Sequence, residues 1–292
     1  MIKPASAKKL EINKKVLTKV KVGLSILLWL CGTLFIPLAW ALEFQGVWQQ
    51  GAMLVGHTEP GNTVVFQERT VSLTSQGYFV IGLSRDVKGP VVVQVGNGKD
   101  SQQYTYPVVQ REYKVQRVDG VPQRTVTPPS AEVLERIRRE GRLVRRARAD
   151  NDQREDFLQG FIKPLEGPIT GVYGSQRVYN GVPKNPHYGL DIARPTGTVV
   201  IAPAAGIVKL VHADMYYSGG TLVLDHGHGL SSSFIHLSGV LVEEGQRVAA
   251  GDAIAKVGAS GRATGPHLDW RVNWFSVRLD PALVLEYFPA AQ

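Results

Sequence analysis

The chain has 292 residues, enough for two domains and a sizeable core. Its formal charge of +8 is misleading, because residues 1–41 hold seven lysines and a single acid, Glu11, and the rest is near +2 with 26 bases against 24 acids. That balance gives no support to nucleic-acid binding, and with the only cysteine, Cys31, inside the leader, the remainder has no disulfide, thiolate nucleophile or thiolate ligand.

Lys3, Lys8, Lys9, Lys14, Lys15, Lys19 and Lys21 precede an apolar run from Val22 to Leu38, followed by Ala39-Trp40-Ala41. The order of basic, apolar and small residues is that of a signal peptide with an A-x-A cleavage site. A run of 17 residues also stands at the short edge of a membrane span, so residues 1–41 read as a signal peptide or as an anchor attached through residues 22–38. Both readings place the protein outside the cytoplasm, in the periplasm or cell envelope.

Residues 42–118 alternate short β-type runs with turn residues: Ala52–Val55, Thr63–Phe66, Tyr78–Ile81, Val91–Val95 and Tyr104–Tyr106. This spacing predicts a small antiparallel β-sandwich, with turns at Glu59-Pro60-Gly61-Asn62 and Gly96-Asn97-Gly98-Lys99. His57 has no second ligand near it in the sequence and reads as a surface or structural histidine. Residues 119–159 form a charged helical linker: Pro128-Pro129 leads into a helix with Ser130 as N-cap and Glu132 in its first turn. The helix carries Arg136, Arg138, Arg139, Arg142, Arg145, Arg146 and Arg148 beside a weak apolar stripe of Val133, Leu134, Ile137 and Val144. Such a helix is a solvated spacer or a contact for anionic lipid or wall polymer, the latter diluted by Glu135, Glu140 and Asp150.

Residues 160–292 are rich in Gly, Val and Ile, with strands at Pro203–Val211, Thr221–Asp225, Ser232–His236 and Asp252–Val257, which predicts a second all-β sandwich and a mainly β fold class. Glu244–Asp252 has the turn grammar of biotin- and lipoyl-carrier sandwiches, but no lysine sits at a hairpin tip to carry the cofactor.

The chemistry concentrates in two stretches. His187-Tyr188-Gly189-Leu190-Asp191 sets an imidazole and a carboxylate four residues apart in looped surroundings, which reads as half a metal site. A straight strand would hold the two side chains roughly 13 Å apart, so the backbone must bend, and Gly189 permits it. The second stretch, Gly265–Val272, alternates as a strand, so His267 and Asp269 share a face about 7 Å apart; one can bind a metal while the other works on its water.

With Tyr173-Gly174-Ser175-Gln176-Arg177, Ala202-Pro203-x-x-Gly206-x-Val208, Phe234–Ser238 and Gly258-x-Ser260-Gly261-x-x-Thr264–Leu268, these pieces make the region from about Phe161 to Tyr287 resemble the lysostaphin-type (LytM-like) zinc metallopeptidases, which cut peptide cross-links of bacterial peptidoglycan. The resemblance implies an antiparallel sandwich with its site in a groove, Zn2+ as cofactor and stem peptides as substrate. It makes His187 and Asp191 zinc ligands, His236 a hydrogen-bonding or proton-transfer partner, and His267 the residue that activates water. The family's third ligand is the second histidine of a His-x-His pair, and that position here is Asp269. Zinc accepts carboxylate oxygen, but two carboxylates cancel the ion's charge, so a slower enzyme or a higher pH optimum is expected.

Bland readings stand beside these. His187 and Asp191 could form a loop hydrogen bond, His226 and His228 could imitate a ligand pair while serving a hairpin turn, and His212 could be a sheet or groove residue. Tyr173 and Arg177 could stabilise an oxyanion, hold an acidic stem peptide, or merely pack. The function expected is a zinc metalloendopeptidase of peptidoglycan; the alternative is a degenerate LytM-type protein that activates or scaffolds another wall hydrolase.

Overall fold

The computed structural model describes residues 42–97, 100–120 and 130–291; the leader, Pro128-Pro129 and half of the turn at Gly96–Lys99 lie outside them. No helix among the described residues is long and apolar enough to cross a membrane. The protein is mainly β. Its centre is an eight-stranded antiparallel sheet in the order Arg247–Val248, Gly206–Met215, Gly219–Asp225, Leu230–Leu237, His267–Trp274, Leu190–Ala193 and Ile169–Gly171, with Val277–Leu279 paired to the far half of His267–Trp274.

The two faces of this sheet have different tasks. Leu222, Leu224, Phe234, Leu268, Trp270, Val272 and Ile192 point to one side and are fully buried in the main core. Their alternate neighbours point to the other side: Val223 stands opposite Ser233 and Ser233 opposite Arg271, while Ile235 stands opposite Asp269 and Asp269 opposite Asp191. Strand pairing therefore collects the polar chemistry on one surface, because directly opposed residues share a face.

The N-terminal region is the expected antiparallel sandwich. One sheet joins Glu43–Gly46, Met53–His57 and Tyr78–Gly82; the other joins Arg69–Val71, Thr63–Phe66, Val91–Asn97 and Asp100–Tyr106. Its inward residues, among them Val64, Phe66, Phe79, Ile81, Val93 and Val95, belong to the same continuous core as the central sheet. The approach is close: a Cβ on Gly82 would lie 2.8 Å from Leu279 Cδ2 and 3.0 Å from Trp274 Cβ. Arg111 Nη1 bonds Asp280 Oδ2 at 2.8 Å, and Val115–Val118 pairs in parallel with Gln176–Tyr179. Asp280 also caps the helix Pro281–Tyr287, accepting from Ala282 N at 2.9 Å. The segments with expected boundaries at 118 and 159 thus pack as one compact unit.

The helix Ala131–Ala147 begins at Ser130, whose Oγ accepts from Val133 N. It is docked where a solvated spacer was expected: Val144 and Ala147 pack on Leu210, Met215 and Val223, at one end of the face opposite the core. Glu140 fixes it there, accepting from Arg136 Nε at 2.7 Å and from Tyr216 N at 2.8 Å. His57 is held by Gln76 O at 3.0 Å and packs on Tyr78. His226 and His228 sit in the turn between Gly219–Asp225 and Leu230–Leu237 with their rings apart in role. His226 is fully buried, donating from Nδ1 to Ala205 O at 2.7 Å and accepting at Nε2 from Ser232 Oγ at 2.9 Å; His228 Nδ1 bonds Ser72 O.

Two outcomes follow from this packing. A fragment of residues 160–292 uncovers Trp274 and Leu279, so it should show no cooperative transition in calorimetry where residues 42–292 unfold in one. Burial lowers the His226 pKa to about 4. The unfolded chain, with an imidazole near 6.5, then binds more protons between these values, so the neutral ring contributes its full stability above about 6.5 and loses it as the pH falls toward 4. The stability advantage of wild type over His226→Asn, from urea unfolding, should shrink by on the order of 3 kcal/mol between pH 7.5 and 4.5.

Candidate metal centre

The pairing of Leu190–Ala193 with His267–Trp274 sets Asp191 directly across from Asp269, and the preceding loop brings His187 over both. His187 Nε2 lies 3.0 Å from Asp191 Oδ1 and 3.4 Å from Asp269 Oδ2. One ligand atom from each of the three fits within 4.8 Å of the others. Ligands of a tetrahedral zinc, bonded at about 2.1 Å, stand about 3.4 Å apart.

Close approach is not mutual hydrogen bonding here. His187 Nε2 and Asp191 Oδ1 are both enclosed and have no hydrogen-bond partner, a condition that native interiors avoid. Two enclosed polar atoms 3.0 Å apart with no hydrogen-bond partner fit a site for a cation. His187 Nδ1 donates to Val172 O at 3.2 Å, which orients the ring with Nε2 toward the carboxylates, as metal-ligating histidines are oriented. Burial pushes the His187 pKa down, but Asp191 and Asp269 outweigh it and bring it up to about 10. The carboxylates thus call for positive charge between them.

Glycines keep this space clear. A Cβ on Gly171 would lie 2.2 Å from Asp191 Oδ2, and one on Gly189 would lie 2.0 Å from Asp269 Oδ1. Gly189 does not adopt a positive φ, so clearance for the carboxylate, and not a special bend, is what requires glycine at that position.

The sequence reading missed Arg271. Its Nε donates to Asp269 Oδ1 at 2.9 Å and its Nη2 to Asp269 Oδ2 at 2.6 Å, the two-pronged geometry in which guanidinium and carboxylate match. Burial raises the Asp269 pKa, but Arg271 and then His187 hold the carboxyl ionised, well below the usual carboxylate range. Each oxygen keeps a second lone pair, so Oδ2 can serve Arg271 and a metal together. With one carboxylate offset by a guanidinium, the net charge of the ligand set equals that of a site with one carboxylate. The alternation that placed His267 and Asp269 on one face extends to Arg271, so the signal was present in the sequence.

His267 and His236 flank the cluster with ring centroids 4.9 Å apart. His267 Nε2 is 3.9 Å from Asp191 Oδ1 and its Nδ1 donates to Gly265 O at 2.8 Å; His236 Nδ1 donates to Ser260 O at 2.8 Å. Carbonyl oxygens only accept, so in the neutral form of either ring Nδ1 carries the proton and Nε2 the lone pair. Burial lowers the His236 pKa, which keeps that ring neutral. Strand alternation after Ile235 would send His236 to the core face. A left-handed backbone, φ 63°, breaks the alternation, a conformation costing about 1–3 kcal/mol that clusters at functional sites.

The remaining expected site residues make their own contacts. Tyr173 is 3% exposed, with its hydroxyl donating to Arg278 O at 2.9 Å and its ring packed between Tyr113 and Tyr188. Arg177 is exposed on Gln176–Tyr179, with Nη1 3.5 Å from the Tyr179 hydroxyl. His212 is partly exposed and accepts at Nδ1 from Asp214 N.

A family model described as peptidase family M23 matches residues 185–281, which contain His187, Asp191, His236, His267, Asp269 and Arg271. A solved structure from Pseudomonas aeruginosa assigned to peptidase M23 is 30% identical, covers 82% of this chain and 96% of its own, and superposes with a TM-score of 0.66. The chain belongs to peptidase family M23. Among curated relatives, the peptidoglycan DD-endopeptidases ShyA and ShyB of Vibrio cholerae are 39% identical over 87 residues and 37% over 116. Those stretches are 30% and 40% of this chain but 20% and 24% of the relatives, so the M23 chain spans about a fifth to a quarter of their length.

The clearance around Asp191 is open to test. The three atoms nearest a Cβ on Gly171 all belong to the Asp191 side chain, so Gly171→Ala should leave the fold intact and lower bound metal per chain at least tenfold, by elemental analysis after dialysis against zinc.

Proposed function

We propose that this M23 protein is a zinc metalloendopeptidase that hydrolyses peptide cross-links of peptidoglycan in the cell envelope. The observation that carries the reading is the pair of enclosed, unpartnered ligand atoms, His187 Nε2 and Asp191 Oδ1, beside the Asp269 carboxylate. One imidazole and two carboxylates are a donor set that zinc accepts, and a fourth position is left open. Bound there, zinc supplies a Lewis acid for the scissile carbonyl and an acidified water.

The chain's own residues do the remaining work. His187, Asp191 and Asp269 hold the ion, with Val172 O orienting the imidazole and Arg271 fixing the Asp269 carboxylate. His267 Nε2, its tautomer set by Gly265 O, faces the cluster as a proton acceptor for the attacking water. His236 Nε2, set by Ser260 O, offers a second site for the proton and can return it to the leaving amine. The substrate assignment draws on the relatives that are named as peptidoglycan endopeptidases. The alternative, a non-catalytic scaffold, predicts loss of several of these groups; all five are present, and His187, Asp269, His267 and His236 each have an orienting partner.

The test uses purified sacculi. Zinc-loaded protein should release new peptide amino termini without new reducing sugar ends, and His187→Ala should lose both the metal and the release, by a factor of at least a thousand in rate. Peptide release that persists in zinc-free His187→Ala protein would overturn the metalloenzyme reading, and reducing ends without peptide ends would make the protein a glycosidase.

A further inference from the structure

Beside the metal centre, between the helix Ala131–Ala147 and the polar face of the central sheet, lies a cavity of about 290 Å3. Water occupies roughly 30 Å3, so the space admits a small polar group with solvent to spare. Its lining is cationic: Arg145, Arg148, Arg271 and Arg278 contribute, with Glu140 as the only acid. Glu140 is already engaged by Arg136 and Tyr216 N, and Arg271 by Asp269.

Neither Arg148 nor Arg278 has an ion pair with any described residue. Arg148 Nη2 donates to Ser233 Oγ at 2.9 Å, but its Nε is enclosed and has no hydrogen-bond partner. Arg278 Nη1 donates to Asn273 Oδ1 at 3.4 Å and its guanidinium lies 5.8 Å from the centre of the Tyr188 ring, neither of which supplies a counter-charge. Ser233 stands opposite Arg271, and Asn273 opposite Arg278, so strand register gathers the three guanidiniums around one space. Burial, followed by the charges of Arg278 and Arg271, pushes the Arg148 pKa well down; burial and Arg271 bring Arg278 to about 10. Gathered cations that destabilise one another, with an enclosed donor left over, are relieved by an anion.

We propose that this pocket binds a carboxylate of the peptide substrate, with Arg148 and Arg278 as its principal partners and Arg271 linking it to Asp269. A planar carboxylate matches the guanidinium fork, and the path from pocket to ligand set is one side chain, Arg271. The substrate class so defined is a peptide with a free carboxylate beside the bond that is cut. The acidic-peptide role that the sequence offered to Arg177 is taken by these arginines. This assignment of substrate rests on the peptidase reading given above.

The test compares N-acetyl-alanyl-alanine with its C-terminal amide, by isothermal titration to the zinc-loaded protein. The acid should bind at least tenfold more tightly. Arg148→Gln and Arg278→Gln, checked for unchanged zinc content and melting temperature, should each reduce that preference at least fivefold. Because the acid and amide are compared first on the wild type, a variant that fails to fold does not shelter the proposal. Equal binding of acid and amide, or a preference undiminished in both folded variants, would overturn it. Cleavage of sacculi without the preference removes the pocket and leaves the reaction standing, whereas the preference without cleavage upholds the pocket and removes the reaction.

Discussion

The antiparallel register that puts Asp191 across from Asp269 is the constraint on which the site depends. Like charges directly opposed on a sheet destabilise it unless something positive lies between or beside them. This chain supplies the positive groups from both sides, His187 over the pair and Arg271 locked onto Asp269. The site is thus an electrostatic arrangement with a defined deficit: Arg271 and His187 hold Asp269 ionised, register fixes the two carboxylates opposite each other, and His187 Nε2 and Asp191 Oδ1 have no hydrogen-bond partner. Preorganisation of this kind is what a metal site needs, because a ligand set that must reorganise binds more weakly.

Holding the register requires more than the two strands. The far half of His267–Trp274 is gripped by Val277–Leu279 and by the N-terminal sandwich, where Gly82 lets Trp274 and Leu279 approach its backbone. Arg111 reaches across to Asp280, which also begins the last helix. Packing on the core face and chemistry on the opposite face are two consequences of one alternation. A shift of one residue in His267–Trp274 would turn Asp269 and Arg271 toward the apolar core and Trp270 to the opposite face. The N-terminal region thus packs on the strand that carries His267, Asp269 and Arg271, three residues of the candidate metal centre.

The polar face is shared by two partners. The candidate metal centre occupies the end formed by Asp191, Asp269 and the two flanking histidines; the docked helix covers the other end through Val144 and Ala147. The arginine-lined space lies where these meet, and Arg271 belongs to both. Arginine suits such a position, since its rigid fork can satisfy a carboxylate on one edge while its charge acts on the other. The same residue bears on Asp269: an acid that carries its own counter-charge brings less net negative charge to the cluster than a free carboxylate.

Much of this was legible in the chain. Period-two alternation marked the strands of both sandwiches, Ser130 marked the helix start, and the two motifs named His187, Asp191, His267 and Asp269, because spacing and local pattern are properties of contiguous residues. The alternation through residues 267–271 also held the clue to Arg271. Other features depend on residues far apart in sequence. Pairing decided that Asp191 opposes Asp269, that Arg271 and Arg278 converge with Arg148, and that the sandwich shares one core with the central sheet. A left-handed residue decided that His236 faces the site, and close approach of backbone to carboxylate decided why residues 171 and 189 are glycine. Local sequence sets which face a side chain takes within its strand; which residues it meets there is set by register and packing between strands, and only the folded chain fixes those.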